Sequence, residues 1–297
     1  MNKDVEISSI NDLLQIIKGI PNNNTIHVNL KGSRFFRGQS NYNWRLIPSV
    51  YRDDLFDSER ILINEAIHKY PLEFNLNDKF STLVKMQHFG LKTRLLDLTE
   101  NPLVALYFAC NENMDEDGSI YIFNNVVTFY SYDQIVETYM DFIFKFSGRP
   151  CEESEILGYF KNKEFYNMSR RRIENIEELI YDLTLSGVFV SPKMDNVRII
   201  SQQGAFFMGG MKIKEIETSR NIGNYGKKYY HFEPNIIDDQ TERVEGGQVF
   251  KYKIKKEDKK KILKELELLN ITGATLFQDL EHQIKHINKS VINDMLN

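Results

Sequence analysis

The chain has 297 residues, 41% of them hydrophobic and 27% charged, and carries a formal net charge of -4 at pH 7. That length and apolar content can bury a sizeable core, either one large domain or two small ones, and the acidic balance excludes nucleic-acid binding carried by overall charge. Two cysteines, Cys110 and Cys151, are too few for a disulfide framework, the amino terminus lacks the basic-then-apolar pattern of a secretion signal, and no apolar run approaches the roughly 20 residues that span a bilayer. The cytoplasm is therefore the expected compartment, and no membrane insertion is expected.

In chain order, Ser9 is placed to cap an amphipathic helix carrying Leu13, Leu14, Ile16 and Ile17, which Gly19 and Pro21 stop. The stretch Thr25 to Phe36 has the β-branched and aromatic character of a strand, and it delivers Arg37 and Gly38 at its end. Ser58 caps a second predicted helix through about Tyr70. A third runs from about Asp78 to His88, with Gly90 as its stop. After a connection read as loop, Asn101 and Pro102 start a buried helix over Leu103 to Ala109, and Gly118 opens a strand, Ser119 to Phe123.

The region from about Ser131 to Ser186 reads as a helical insertion with Arg170, Arg171 and Arg172 at its centre. Val197 to Met208 reads as a strand ended by Gly209 and Gly210, Gly223 to Gly247 as loops, and Gln248 to Ile254 as a further strand. Two helices close the chain, Glu257 to about Leu269 and about Leu276 to Ile292. Without regular alternation of strand and helix, the expected class is α+β, with small mixed sheets and flanking helices. The expected divisions are 1–34 leading into the core, 35–210 as the core with its insertion at about 131–186, and 211–297 packed on the core.

Three clusters carry chemistry-bearing side chains. Arg37, flanked by Phe36 and Gly38 and followed by Gln39, is a candidate anion ligand, because a guanidinium fork matches phosphate and glycine admits a close approach; a paired arginine at a rim is the plainer alternative. Gln87, His88, Gly90, Thr93, Arg94, Asp97, Thr99 and Asn101 crowd one connection. There a ligand site competes evenly with helix capping and an Arg94–Asp97 pair. In the segment Arg198 to Phe207, strand alternation would put Ser201 and Gln203 on one face. No metal motif accompanies His88, and His282 with His286 fits a solvated helix better than a metal site. No GxSxG elbow or phosphate-binding P-loop is present, so covalent hydrolysis by Ser or Cys is weakly supported.

The segments FRGQ, NWRLIPSVYR, QHFGLKTRLLDLTENPLVALYFAC and NVRIISQQGAFF, in this order over roughly Phe35 to Phe207, resemble the FRG domain, and Leu276 to Ile287 is similar to the tail that follows it. The resemblance implies a bacterial or phage setting, with conflict between the two as a role. A more distant likeness in motif layout, to ADP-ribosyltransferases, implies NAD as substrate, an arginine on its phosphates or ribose, hydroxyls around nicotinamide, and a late-strand glutamate. On that layout Arg37 matches the first element and Thr93 or Thr99 the second; together with the crowding of polar residues on loops between apolar helices, this makes Arg37, Gly38, Gln39, Thr93, Arg94 and Thr99 the expected nucleotide-binding residues, and His88, Asp97 and Gln203 the expected catalytic ones. This chain departs at the last element: Ser201, Gln202 and Gln203 stand where a glutamate belongs, leaving Asp97 or Glu245 to substitute. The expected function is NAD-like nucleotide binding, ADP-ribosyl transfer or NAD hydrolysis, with no metal. The alternatives are a nucleotide- or partner-sensing module without catalysis, and an effector acting on nucleic acid.

Overall fold

The computed structural model describes residues 5–21, 32–52, 54–160, 187–216, 227–237, 243–244, 247–278 and 284. Over these the fold is α+β. The strands are β1 (Ser33–Gln39), β2 (Leu95–Thr99), β3 (Gly118–Val126), β4 (Thr128–Tyr130), β5 (Cys151–Glu152), β6 (Gly187–Ser191), β7 (Gly204–Ile216), β8 (Tyr229–Asn235), β9 (Arg243–Val244) and β10 (Gly247–Ile254). They form one ten-stranded sheet in the order β4-β6-β7-β2-β1-β3-β10-β9, with β8 and then β5 continuing from β7. The long strand β7 holds the sheet together, pairing with β2 and β6 along its first half and with β8 along its second.

The helices are α1 (Ile10–Gly19), α2 (Glu59–Lys69), α3 (Lys79–His88), α4 (Pro102–Cys110), α5 (Gln134–Lys145), α6 (Glu153–Phe160), α7 (Val197–Gln202), α8 (Lys256–Leu268) and α9 (Gly273–Leu276). Several start where the capping chemistry predicts. Ser9 accepts from the Asp12 amide, Asp78 from Ser81, and Asn101 from Leu103 with Pro102 in the first turn. Ser58 sits at the start of α2 without a side-chain cap bond.

Four expectations are overturned. The connection before Asn101 contains β2, a central strand whose Leu95, Leu96, Leu98 and Thr99 are all buried, so it lacks the alternation that marks a half-exposed strand. Val197 to Gln202 is helix, because Asn196 Oδ1 caps the Arg198 amide at 2.8 Å; the turn ends at Gln203, whose φ of 47° is left-handed. The strand that follows runs past Gly209 and Gly210. There the absence of a side chain lets the Tyr51 ring lie against the strand, its hydroxyl donating to the Gly210 carbonyl at 2.7 Å. Within the region read as loops lie β8 and β9. Of the predicted helical insertion, α5 and α6 are described; Arg170 to Arg172 lie outside the described residues, as does most of the last predicted helix.

The sheet has two distinct faces. Residues directly opposite in antiparallel strands share a face, so Phe35, Arg37 and Gln39 of β1 stand beside Phe123, Tyr121 and Ser119 of β3 and Val249, Lys251 and Lys253 of β10. Leu96, Leu98, Ala205 and Phe207 extend this first face, which Leu46 and Ile237 cover. The second face carries Phe36, Ile120, Ile122, Tyr252 and Ile254 under α1, α4 and α8, and, through β2 and β7, Leu95, Phe206 and Met208 under α2, α3 and α5. Gly38 permits this packing: a Cβ there would lie 1.9 Å from the Ala105 carbonyl oxygen of α4.

Candidate functional site

The residues singled out from sequence separate into four environments. Arg37 is on the first face. Its Nη1 donates to the Asp97 carbonyl at 2.6 Å, while its Nε is buried and has no hydrogen-bond partner. Desolvation holds the guanidinium below its ordinary value; Asp97 opposes that shift and Arg52 adds to it. The residue as a whole is nevertheless only half-buried, so part of it remains open to solvent. Around it stand Tyr121 and Lys251 in register, with the Tyr42 ring 4.4 Å from Lys251 Nζ and 5.5 Å from Lys253 Nζ. One residue pair further along the strands, Gln39 Oε1 and Ser119 Oγ are buried without partners, although Gln39 Nε2 reaches the Arg45 carbonyl at 3.4 Å. Gly38 turns its Cα toward α4, where its lack of a side chain permits close packing.

His88 and Asp97 lie across the sheet from Arg37. Asp97 pairs with Phe206 in register, so its carboxylate belongs to the second face; only its backbone touches Arg37. Gln87 Nε2 donates to Asp97 Oδ1 at 2.8 Å while Gln87 Oε1 accepts from Thr93, so one amide fixes both residues. His88 and Asp97 line a small groove of about 80 Å³ with Gln87, Arg198 and Gln202, floored by Val84, Ile199 and Phe206. An adjoining hollow of about 280 Å³, bounded by Phe80, Phe89, Pro192 and Lys193, shares His88 with it. The first volume admits a group of a few atoms and not a dinucleotide, since ligand pockets run to roughly 300–1,000 Å³.

Arg94 reaches neither place. It is fully buried and forked onto the equally buried Glu59, with Nε at 3.1 and 3.0 Å from the two carboxylate oxygens and Nη2 also bonded. Burial works against its charge, but Glu59, with Tyr51 beside it, holds the guanidinium above its ordinary value. Tyr51 and Phe56 cover it at 5.9 and 5.3 Å. The expected Arg94–Asp97 pair is therefore replaced by Arg94–Glu59.

The remaining three residues serve the backbone. Thr93 is buried and exchanges hydrogen bonds with Ser49, which donates to its carbonyl at 3.1 Å and accepts from its amide at 3.0 Å. Thr99 Oγ1 donates to the Gln202 carbonyl at 2.6 Å and accepts from the Asn101 amide at 3.0 Å, locking α7 to the end of β2. Gln203 is exposed and lines neither hollow; its carbonyl accepts from Glu100 at 2.9 Å. The sequence alternation that aimed Gln203 into a site fails because the segment is helical. Gln202 faces the groove in its place, and Arg198 joins it with its guanidinium 5.2 Å from the Phe277 ring centre. Arg198 was legible only as a polar residue in an apolar run. Tyr42, Tyr121 and Lys251 had no local signal, because strand register alone brings them to Arg37.

Cys110 and Cys151 are buried, and desolvation pushes their thiols up to about 12 and about 11, so neither is a thiolate near neutral pH. Among the described residues no group of three or more His, Cys, Asp or Glu is arranged to hold a metal, and no helix is long and apolar enough to cross a membrane. Glu245, the other carboxylate considered for cleavage, lies outside the described residues.

Residues 32–118 match the family model of the FRG domain, and over that span the chain carries an FRG domain. The match covers β1 through the start of β3, including Arg37, the 40–48 loop, His88 and Asp97, and ends before α7 and β7. No curated protein and no solved structure matches the chain.

Proposed function

We propose that this FRG-domain chain binds a nucleotide of the NAD type with its phosphates against Arg37, and that binding, not turnover, is the primary function of the site. One observation carries the reading. Arg37 is desolvated, has an unpartnered Nε and a cationic neighbour in Arg52, and remains open to solvent. Holding like charges together at a cost in desolvation is rational where an anion completes the site. The choice of NAD rests on the ADP-ribosyltransferase likeness. Its support is that the Arg37, Thr99 and Gln203 segments, far apart in sequence, meet on or beside the neighbouring strands β1, β2 and β7.

Gln203 in place of a glutamate, with the Asp97 carboxylate on the opposite face, favours sensing. ADP-ribosyl transfer or NAD hydrolysis is the second reading, resting on the ADP-ribosyltransferase likeness, since the groove that His88 and Asp97 line is too small for a dinucleotide. On the family resemblance the setting is conflict between bacteria and phages.

Calorimetry on the whole chain with NAD and ADP, paired with chromatographic detection of nicotinamide, tests this. The expected result is binding of both, at least ten-fold weaker in Arg37→Ala, as loss of a charge-assisted contact costs about 1.5–3 kcal/mol, and no nicotinamide release. Absence of binding by either nucleotide, or equal binding by Arg37→Ala, overturns the reading.

A further inference from the structure

We infer that the 40–48 loop is a nucleobase-stacking platform presented by Trp44, so that the ligand class is a nucleoside diphosphate read at both its phosphates and its base. The inference rests on the reading of Arg37 as the phosphate contact. Trp44 is the sole tryptophan of the chain and leaves 45% of its surface exposed. Single exposed aromatics are common on proteins, and alone this one would mean little.

What distinguishes it is the backbone that holds it out. The Tyr42 amide donates to the Asp117 carbonyl at 2.6 Å, Asn43 to Asn41 Oδ1 at 2.8 Å, and Trp44 to the Asn41 carbonyl at 3.3 Å. At the base of the loop the Ser40 carbonyl accepts from the buried Lys259 Nζ at 2.7 Å, while Ser40 Oγ accepts from Asn113 at 2.8 Å. Beyond Trp44, Leu46 is 1% exposed and plugs the first face of the sheet. The backbone that carries the indole is therefore fixed at both flanks, and the indole is exposed between them. Such preorganisation lowers the entropic cost of stacking a ligand ring.

The platform adjoins the anion site through two links. Gln39, two residues from Arg37 on the same face, donates to the Arg45 carbonyl at 3.4 Å. Tyr42 lies over Lys251, which the register connects to Arg37 across Tyr121. A phosphate at Arg37 thus leaves the sugar and base of a nucleoside diphosphate within reach of the loop. Every base has a π-face, so stacking fixes the ligand class without selecting one base.

The test uses the whole chain with two probes, ADP and inorganic pyrophosphate. Because Trp44 is the only indole, its fluorescence reports this loop alone. ADP is expected to quench it, and pyrophosphate to bind by calorimetry with little quenching. Trp44→Ala and Trp44→Leu are expected to lose about ten-fold or more in ADP affinity, the usual range for a stacked base. Both are expected to keep their affinity for pyrophosphate, and Trp44→Phe to keep most of the ADP affinity. If the alanine variant fails to fold, the leucine variant, which keeps apolar bulk without a π-face, decides. Unchanged ADP affinity in the variants overturns the inference while leaving the Arg37 reading in place. Loss of pyrophosphate affinity equal to that for ADP means that the loop shapes the anion site and carries no base, which also overturns it. Failure of both probes on the wild-type chain overturns the Arg37 reading and the inference with it.

Discussion

Arg37 and Arg94 have the same side chain and opposite circumstances. Arg94 is sealed in apolar surroundings against a fully buried carboxylate, so removing it strands the Glu59 charge; Arg37 gives up hydration for one carbonyl, and each leaves one buried nitrogen unpartnered, Nη1 of Arg94 and Nε of Arg37. Stranding a buried charge costs about 3–5 kcal/mol, whereas loss of one hydrogen bond costs about 1 kcal/mol and here is offset by relief of desolvation. Arg94→Met is therefore expected to lower unfolding stability by about 3–5 kcal/mol, and Arg37→Met to change it by less than about 1 kcal/mol, in urea titrations. Equal losses would mean that Arg37 is a structural residue. Sequence put both arginines in one ligand set, because Glu59 lies 35 positions from Arg94 and carries no mark of its partner.

At the scale of elements, the 40–48 loop depends on Asp117. Its carboxylate takes the Lys253 ammonium at 2.7 Å and the Lys256 amide at the start of α8 at 2.9 Å, and its carbonyl takes the Tyr42 amide. The hydrogen bond from Lys253, then that from the Lys256 amide, hold the acid below its ordinary value of 3.8. A folded value below the unfolded one means that the stability it contributes is present above the ordinary value and is lost as the pH falls through the depressed folded value. Comparing denaturation midpoints of the wild-type chain and Asp117→Asn is expected to show a gap at pH 7 that narrows below about pH 4. A gap independent of pH contradicts this.

Element boundaries were legible where caps write them, as at Ser9, Asp78 and Asn101. They were illegible at β2, whose burial on both faces erases alternation, and at α7, where the branched residues Val197, Ile199 and Ile200 suggest a strand until the Asn196 cap decides.

For the whole molecule, the α+β class and the FRG segment were legible, since composition and motif spelling are local properties. The site was half legible. Arg37 and Gln39 are marked by their motif, but Tyr121 and Lys251 join them only through the register of β1, β3 and β10, which spans more than 200 positions of chain. The register of β2 with β1 and β7 separates Arg37 from Asp97 and the groove it shares with His88, which sequence had grouped. The face of the sheet on which the ligand sits thus decides between Arg37 and the groove of His88 and Asp97.

A crystal structure of the whole chain with ADP measures this most directly. The diphosphate is expected within hydrogen-bond distance of Arg37 on the Tyr121 face of the sheet, with the base against Trp44. A diphosphate found instead in the groove of His88, Asp97 and Arg198, with Arg37 untouched, would contradict it.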